Sequence, residues 1–131
     1  MPDFAPIPDE TEAIGRQVVD SAYSVHRELG PGLIEPIYEP CFIHELRLRG
    51  LNVQRQQVLP ICYKGLRLEK ALRLDLLVNE SVIVELKAVE LILPVFRAQL
   101  LSYLRLTDLR LGYLINFNVP LIKDGIERII R

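Results

Sequence analysis

Asp75-Leu76-Leu77-Val78-Asn79-Glu80-Ser81-Val82-Ile83-Val84-Glu85-Leu86-Lys87 is the stretch whose reading decides the fold. It has the pattern of a tight β-hairpin. Strand side chains alternate faces with period two. On the first arm, Leu72, Leu74, Leu76 and Val78 share one face, and Arg73, Asp75 and Leu77 share the other. On the second arm, Val82, Val84 and Leu86 lie opposite Ile83, Glu85 and Lys87. The apolar faces must coincide, which sets the register. Val78 then faces Val82, Leu76 faces Val84, and Asp75 faces Glu85 across a loop at Asn79 to Ser81. Two carboxylates sit side by side, roughly 5 Å apart at Cβ, with Lys87 two residues on. Like charges directly opposite need a compensator, and a divalent cation supplies one, because hard cations take carboxylate oxygens. An exposed, salt-bridged sheet face is the plainer reading of such a triplet. The flanks argue against it: both arms carry apolar residues on both faces, as strands buried on both sides do.

Outward from the hairpin, Ile14, Val18, Ala22, Val25 and Leu29 keep helical spacing and predict a first helix over Asp9 to Leu29. Gly30-Pro31-Gly32 ends it. A second helix is expected over Leu33 to Arg49, closed by Gly50. Pro36 suits its first turn, whereas Pro40 predicts a kink or a later helix start. Val53 to Tyr63 is an extended segment broken near Pro60, and Lys64-Gly65 turns it into Leu66. Pro94 opens a third helix to about Leu106. Arg110 to Phe117 is a β-type run, and Ile126 to Ile130 a short last strand or helix. The order α-α-β-β-β-α-β predicts an α/β fold, a central mixed sheet flanked by helices.

The 131 residues are half hydrophobic, with mean hydropathy +0.20. One domain of this size can bury a core. Sixteen basic against seventeen acidic residues give a net charge of −1. The chain therefore lacks the global electrostatic footprint of a strong nucleic-acid binder, and such a contact needs a local basic patch. Arg47, Arg49, Arg55, Lys64, Arg67, Lys70 and Arg73 cluster loosely before the hairpin, where they could contact phosphates or simply face solvent. Cys41 and Cys62, the only cysteines, are expected as free thiols in or near the core, and His26 and His44 as satisfied or surface residues. The Pro-rich, acidic start reads as a flexible arm over residues 1–8, unlike a secretory leader. No apolar run reaches membrane length. The expected location is cytoplasmic, with no membrane partner. The high apolar content predicts self-association as a homodimer.

Two further elements carry candidate chemistry. Glu35 heads a helical stripe continued by Tyr38, Phe42 and Leu46. It either reaches a metal, directly or through water, or is an exposed first-turn acid favoured by the helix dipole. Taken alone, the second reading is favoured. Gln99 and Tyr103 share a face of the third helix. They either orient a phosphate, a water or Lys87, or are surface polarity beside a partly buried tyrosine, which is again the favoured reading in isolation.

Together these residues carry a resemblance. His26 to Tyr38 resembles the signature of the GxxExxY proteins, with Gly32, Glu35 and Tyr38 at the named positions. Leu59-Pro60, Tyr63-Lys64-Gly65, Arg73 to Val78, Val82 to Ala88, Ala98 to Leu104 and Ile115-Asn116-Phe117 follow in order, so the resemblance covers nearly the whole chain after the arm. That family looks like a branch of the PD-(D/E)XK nuclease superfamily. The resemblance implies a restriction-endonuclease-like core as a single domain over residues 9–131. It also implies cleavage of phosphodiester bonds in DNA or RNA with Mg2+ or Mn2+. By it, Asp75, Glu85 and Lys87 match the acid and Glu-x-Lys elements, Glu35 the acid on the preceding helix, and Gln99 and Tyr103 a downstream Gln-x-x-x-Tyr. Implied metal ligands are Asp75, Glu85, the Leu86 carbonyl and Glu35. Phe96 stands where many relatives have histidine, and Leu72 where an aromatic is common. A second expectation, from another class, is a nuclease-fold module that binds nucleic acid or protein without useful turnover. The near-neutral charge favours it and the complete acid and lysine set opposes it.

Overall fold

The computed structural model describes residues 5–131. In chain order it forms α1 (Asp9–Leu29), α2 (Glu35–Leu48), β1 (Val53–Tyr63), β2 (Leu66–Val78), β3 (Val82–Lys87), α3 (Pro94–Thr107), β4 (Leu111–Asn116), a 3-10 turn (Ile122–Gly125) and β5 (Ile126–Ile130). The sheet runs β1-β2-β3-β4-β5. Every neighbouring pair is antiparallel except β3 and β4. A parallel pair needs a crossover, and α3 supplies it. This is the expected mixed sheet flanked by helices. Residues 1–4 of the expected N-terminal arm lie outside the described residues; Ile7 packs into the core.

Two apolar clusters sandwich the sheet. Val18, Ala22, Tyr38, Phe42 and Leu46 of α1 and α2 pack on Leu76, Val78, Val82 and Val84. Leu100 and Leu104 of α3 pack on Ile83, Leu114, Leu77 and Leu74. All of β4, and β3 as far as Leu86, is buried, which explains why these strands are apolar on both faces. α1 comes close to β4 at Gly15, where an added Cβ would meet the Tyr113 hydroxyl at 2.6 Å.

The hairpin has the register read from the sequence: Val78 pairs with Val82 and Leu76 with Val84. Asn79 and Glu80 adopt left-handed φ values of 50° and 54°, and the Ser81 N–H closes the turn on the Val78 carbonyl at 3.0 Å. Asparagine tolerates that conformation because its short polar side chain bonds locally. Here Asn79 Oδ1 accepts the Asn52 N–H.

The alternation along β2 differs from expectation. Leu74 packs with Leu77 on the α3 side, not with Leu76 and Val78. The cause lies on the partner strand. Gln56 has φ 52°, and the β1–β2 ladder lacks a Gln56–Asp75 pair. The ribbon turns there, so Asp75 sits at a break in the strand. The register shift between Leu59 and Ile61 falls at Pro60, as expected of a residue without an N–H.

α2 begins at Glu35 rather than Leu33. The Leu33 N–H is already donated to the Tyr38 hydroxyl at 3.2 Å, and Ile34 is extended. Pro36 therefore falls in the first turn, where no hydrogen bond is lost. The helix runs on through Pro40, held by fully buried Tyr38, Phe42 and Leu46. Both cysteines are exposed, correcting the expectation of near-core thiols. Phe42 and Ile43, not Cys41, face inward, and Cys62 lies near the tip of the β1–β2 ribbon. His26 is buried and its Nε2 donates to the Val119 carbonyl at 2.8 Å. Among the described residues, no helix is long and apolar enough to cross a membrane. Leu91, Leu48 and Ile34 are exposed, the kind of surface on which the self-association expectation rests.

Phe117 is fully buried, stacked on Tyr38 at 4.7 Å and edge-on to Phe42 at 5.9 Å. Phe117→Ala is expected to cost about 3–5 kcal/mol, measured as a lower urea midpoint at unchanged slope.

Candidate active site

The β2–β3 ladder stops at the Leu76–Val84 pair. Beyond it, side chains take over from the backbone. The Asp75 N–H donates to Glu85 Oε2 at 3.1 Å, and the Leu86 N–H donates to Asp75 Oδ2 at 3.0 Å. Each acid is thus clamped by the strand that carries the other. Glu85 is 5% exposed. Burial, then repulsion from Asp75, pushes its carboxyl up to about 9, against the pull of the Asp75 N–H and of Lys87. At neutral pH the pair holds a proton in place of a second negative charge.

Lys87 follows at the end of β3. Its ammonium lies 4.4 Å from the centroid of the Phe96 ring, a cation–π contact that histidine at this position would replace. The Tyr103 phenol is also held above its usual value, by burial first and then by Glu85 and Asp75. It is therefore a neutral hydrogen-bond donor in the field of both acids. Gln99, one turn earlier, is exposed and makes no side-chain hydrogen bond among the described residues.

Glu35 is placed differently. It is exposed at the first position of α2, and its Oε1 accepts the Ala88 N–H at 3.0 Å. It is the exposed first-turn acid of the second sequence reading, and it is bonded to the residue that follows β3. Among the described residues, no three His, Cys, Asp or Glu side chains come together as one group. The acids divide into a clamped pair and a separate Glu35. Asp75 and Glu35, but not buried Glu85, line a cleft of about 520 Å³ in which Asp75 and Leu86 meet Glu35 and Glu39 of α2 and Arg55, Gln56 and Arg73 of the β1–β2 ribbon.

Several residues here escaped the sequence reading. Glu39 pairs with Arg55 and accepts the Gln56 side-chain amide at 3.0 Å. Gln56 Oε1 in turn accepts Arg73 Nε at 2.7 Å. Glu39 was detectable, four residues after Glu35 and so on the same helix face. Gln56 was not, because its role depends on its left-handed backbone. Asn116 is 3% exposed and braces the chain after β3. It accepts the Val89 N–H at 3.0 Å and donates to the Val89 carbonyl at 2.9 Å. A buried amide in an apolar strand was its signal. Asn118 Oδ1 accepts the Gly32 N–H at 3.1 Å, and Tyr38 donates to the Gly30 carbonyl at 2.5 Å. The loop before Glu35 is thereby tied to the end of β4.

Asp75, Glu85 and the Leu86 carbonyl form a hard-oxygen donor set. Mg2+ commonly uses one or two carboxylates plus waters and substrate phosphate, so two adjacent acids fit it without a third. In metal-free protein, Glu85 binds its proton more tightly folded than unfolded. Its stabilising contribution is full below the unfolded value of 4.5 and is lost as pH rises to about 9. In EDTA, Glu85→Gln is therefore expected to gain melting temperature over the wild type steadily across that window. A constant difference between the two from pH 5 to pH 9 would contradict the placement of Glu85.

No curated protein and no solved structure gives a significant match to this chain. A family profile matches residues 12–129, which include both acids, Lys87, Glu35 and α3, and it describes the PD-(D/E)XK nuclease superfamily. With all but the ends of the chain matched, this protein belongs to the PD-(D/E)XK nuclease superfamily.

Proposed function

We propose that this domain is a metal-dependent nuclease that hydrolyses phosphodiester bonds in nucleic acid. The reciprocal clamp between Asp75 and Glu85 carries the reading. Two carboxylates are pressed together, one of them neutralised by a proton, with Asp75 at the wall of an open cleft. Such an arrangement costs stability and is understandable if a cation replaces the proton. Asp75, Glu85 and the Leu86 carbonyl would hold Mg2+ or Mn2+, with Glu35 placed to bind water at the same cleft. The bound ion would polarise the phosphoryl oxygen and lower the pKa of its water.

The remaining roles belong to the chain itself. Lys87 offsets charge on the phosphate and orients the attacking water, and Phe96 limits where its ammonium can go. Tyr103 donates a hydrogen bond from its neutral phenol. Gln99, exposed on α3, would meet the substrate. Within the superfamily, Gly32, Glu35 and Tyr38 support assignment to the GxxExxY branch: Tyr38 and Gly32 hold the loop that aims Glu35. A second reading, a nuclease-fold binding module without turnover, is favoured by one observation, the separation of Glu35 from the acid pair.

Mg2+ or Mn2+ should raise the melting temperature of the wild type by mass action, and Glu85→Ala should abolish that rise. In a cleavage assay with either metal, Asp75→Ala should be inactive. Lys87→Met should retain metal binding and lose roughly a hundredfold or more in rate, the scale for removing a preorganised electrostatic group. Wild-type protein that binds nucleic acid but cleaves no DNA or RNA with either metal favours the module reading.

A further inference from the structure

β1 and β2 are 11 and 13 residues long, whereas β3, β4 and β5 have 6, 6 and 5. β2 pairs with β3 only over Leu76 to Val78. The rest of β2, from Leu66 to Asp75, has β1 on one edge and no strand on the other. A two-stranded ribbon therefore leaves the sheet at Gln56 and Asp75. It reaches roughly 25 Å at about 3.3 Å per residue. Every residue from Cys62 to Ala71 is exposed.

Charge is segregated onto this ribbon. Residues 57–74 hold Lys64, Arg67, Lys70 and Arg73 against the single acid Glu69, a net +3 in a chain whose total is −1. The four cations fall at intervals of three along the tip and β2. Arg67 and Arg73, opposite Cys62 and Val58 of β1, share a face, and Arg67 pairs there with Glu69. Lys70 lies in the irregular stretch facing Pro60, and Lys64 sits at the turn. Cations spread in this way along a narrow ribbon suit a site walled by phosphates. The B-form major groove, about 12 Å wide, admits a two-stranded β-ribbon, whereas the A-form major groove of RNA is too narrow. The irregularity at Pro60, where three residues of β2 face one of β1, adds local twist. The root of the ribbon is continuous with the cleft, since Arg73 and Gln56 line it beside Asp75.

We propose that the β1–β2 ribbon is a duplex-DNA arm that lies in the major groove and delivers the adjacent backbone to the cleft. The inference rests on the reading of the domain as acting on nucleic acid, and narrows its substrate to double-stranded DNA.

Binding is measured in EDTA, without cleavage, by anisotropy of short labelled duplex DNA, duplex RNA and single-stranded DNA. The wild type should bind duplex DNA at least tenfold tighter than either alternative. The variant Lys64→Ala/Arg67→Ala/Lys70→Ala, with folding checked by circular dichroism, should lose about tenfold or more of that affinity. Its salt slope should fall by about 2–3, close to one for each lost phosphate contact. Equal affinity of variant and wild type for duplex DNA, or an equal preference for all three nucleic acids, overturns the proposal. So does a ribbon that binds a second copy instead: Tyr63, Leu66 and Leu68 are exposed, and a change in oligomeric state on their replacement by serine, with DNA binding unaltered, would reveal it. Asp75→Asn separates the two hypotheses, because it removes cleavage and leaves arm-dependent binding. Arm-dependent duplex binding by a wild type that never cleaves upholds the arm and defeats the nuclease reading.

Discussion

Two carboxylates confined side by side are the constraint around which the rest of the molecule is arranged. Where β2 and β3 stop exchanging backbone hydrogen bonds, Asp75 and Glu85 exchange side-chain-to-backbone ones. Each acid thus has its geometry set by the other strand, and neither can turn away from its neighbour. With Glu85 buried and Asp75 adjacent, one proton stays on the pair at neutral pH. Such a site is poorly satisfied by the protein alone. A positive charge would relieve it, and Lys87, stacked over Phe96, supplies one only in part.

The elements around the pair act as braces. β3 is buried between α1 and α2 on one side and α3 on the other, so its two charged residues emerge from an otherwise apolar strand. Asn116 fixes the chain leaving β3. The stack of Tyr38 on Phe117 ties the start of α2 to the end of β4. The Glu35–Ala88 hydrogen bond then links helix and strand across the mouth of the site. Glycine, glutamate and tyrosine of the loop and first turn thus act together: Gly32 and Tyr38 hold the backbone from which Glu35 projects.

The cleft owes its shape to a local fault in the sheet. Gln56 in a left-handed conformation breaks the alternation of β2 and turns the ribbon. It also sets its own amide between Glu39, which Arg55 pairs with, and Arg73. An uninterrupted ladder would have kept Leu74 and Leu76 on one face and closed this space. The fault thus joins the Asp75–Glu85 pair to an exposed basic ribbon.

The local features were legible in the chain. The Asp9–Leu29 helix, the hairpin register and the break at Pro60 follow from hydrophobic period and proline chemistry, which act over a few residues. The closeness of Asp75 to Glu85 followed as well, because a one-residue slip would expose an entire apolar face, although side-chain bonds rather than a ladder pair join them. Tertiary structure decided the rest. The position of Glu35, bonded to Ala88 rather than grouped with the acids, depends on contacts across the fold. So do the exposure of Cys41 and Cys62, the switch of Leu74 to the α3 side, and the Glu39–Arg55–Gln56 cluster. Periodicity records which residues are apolar, whereas a left-handed turn at one glutamine decides which way a strand faces beyond it. That turn is stabilised by partners remote in sequence and leaves no pattern of its own.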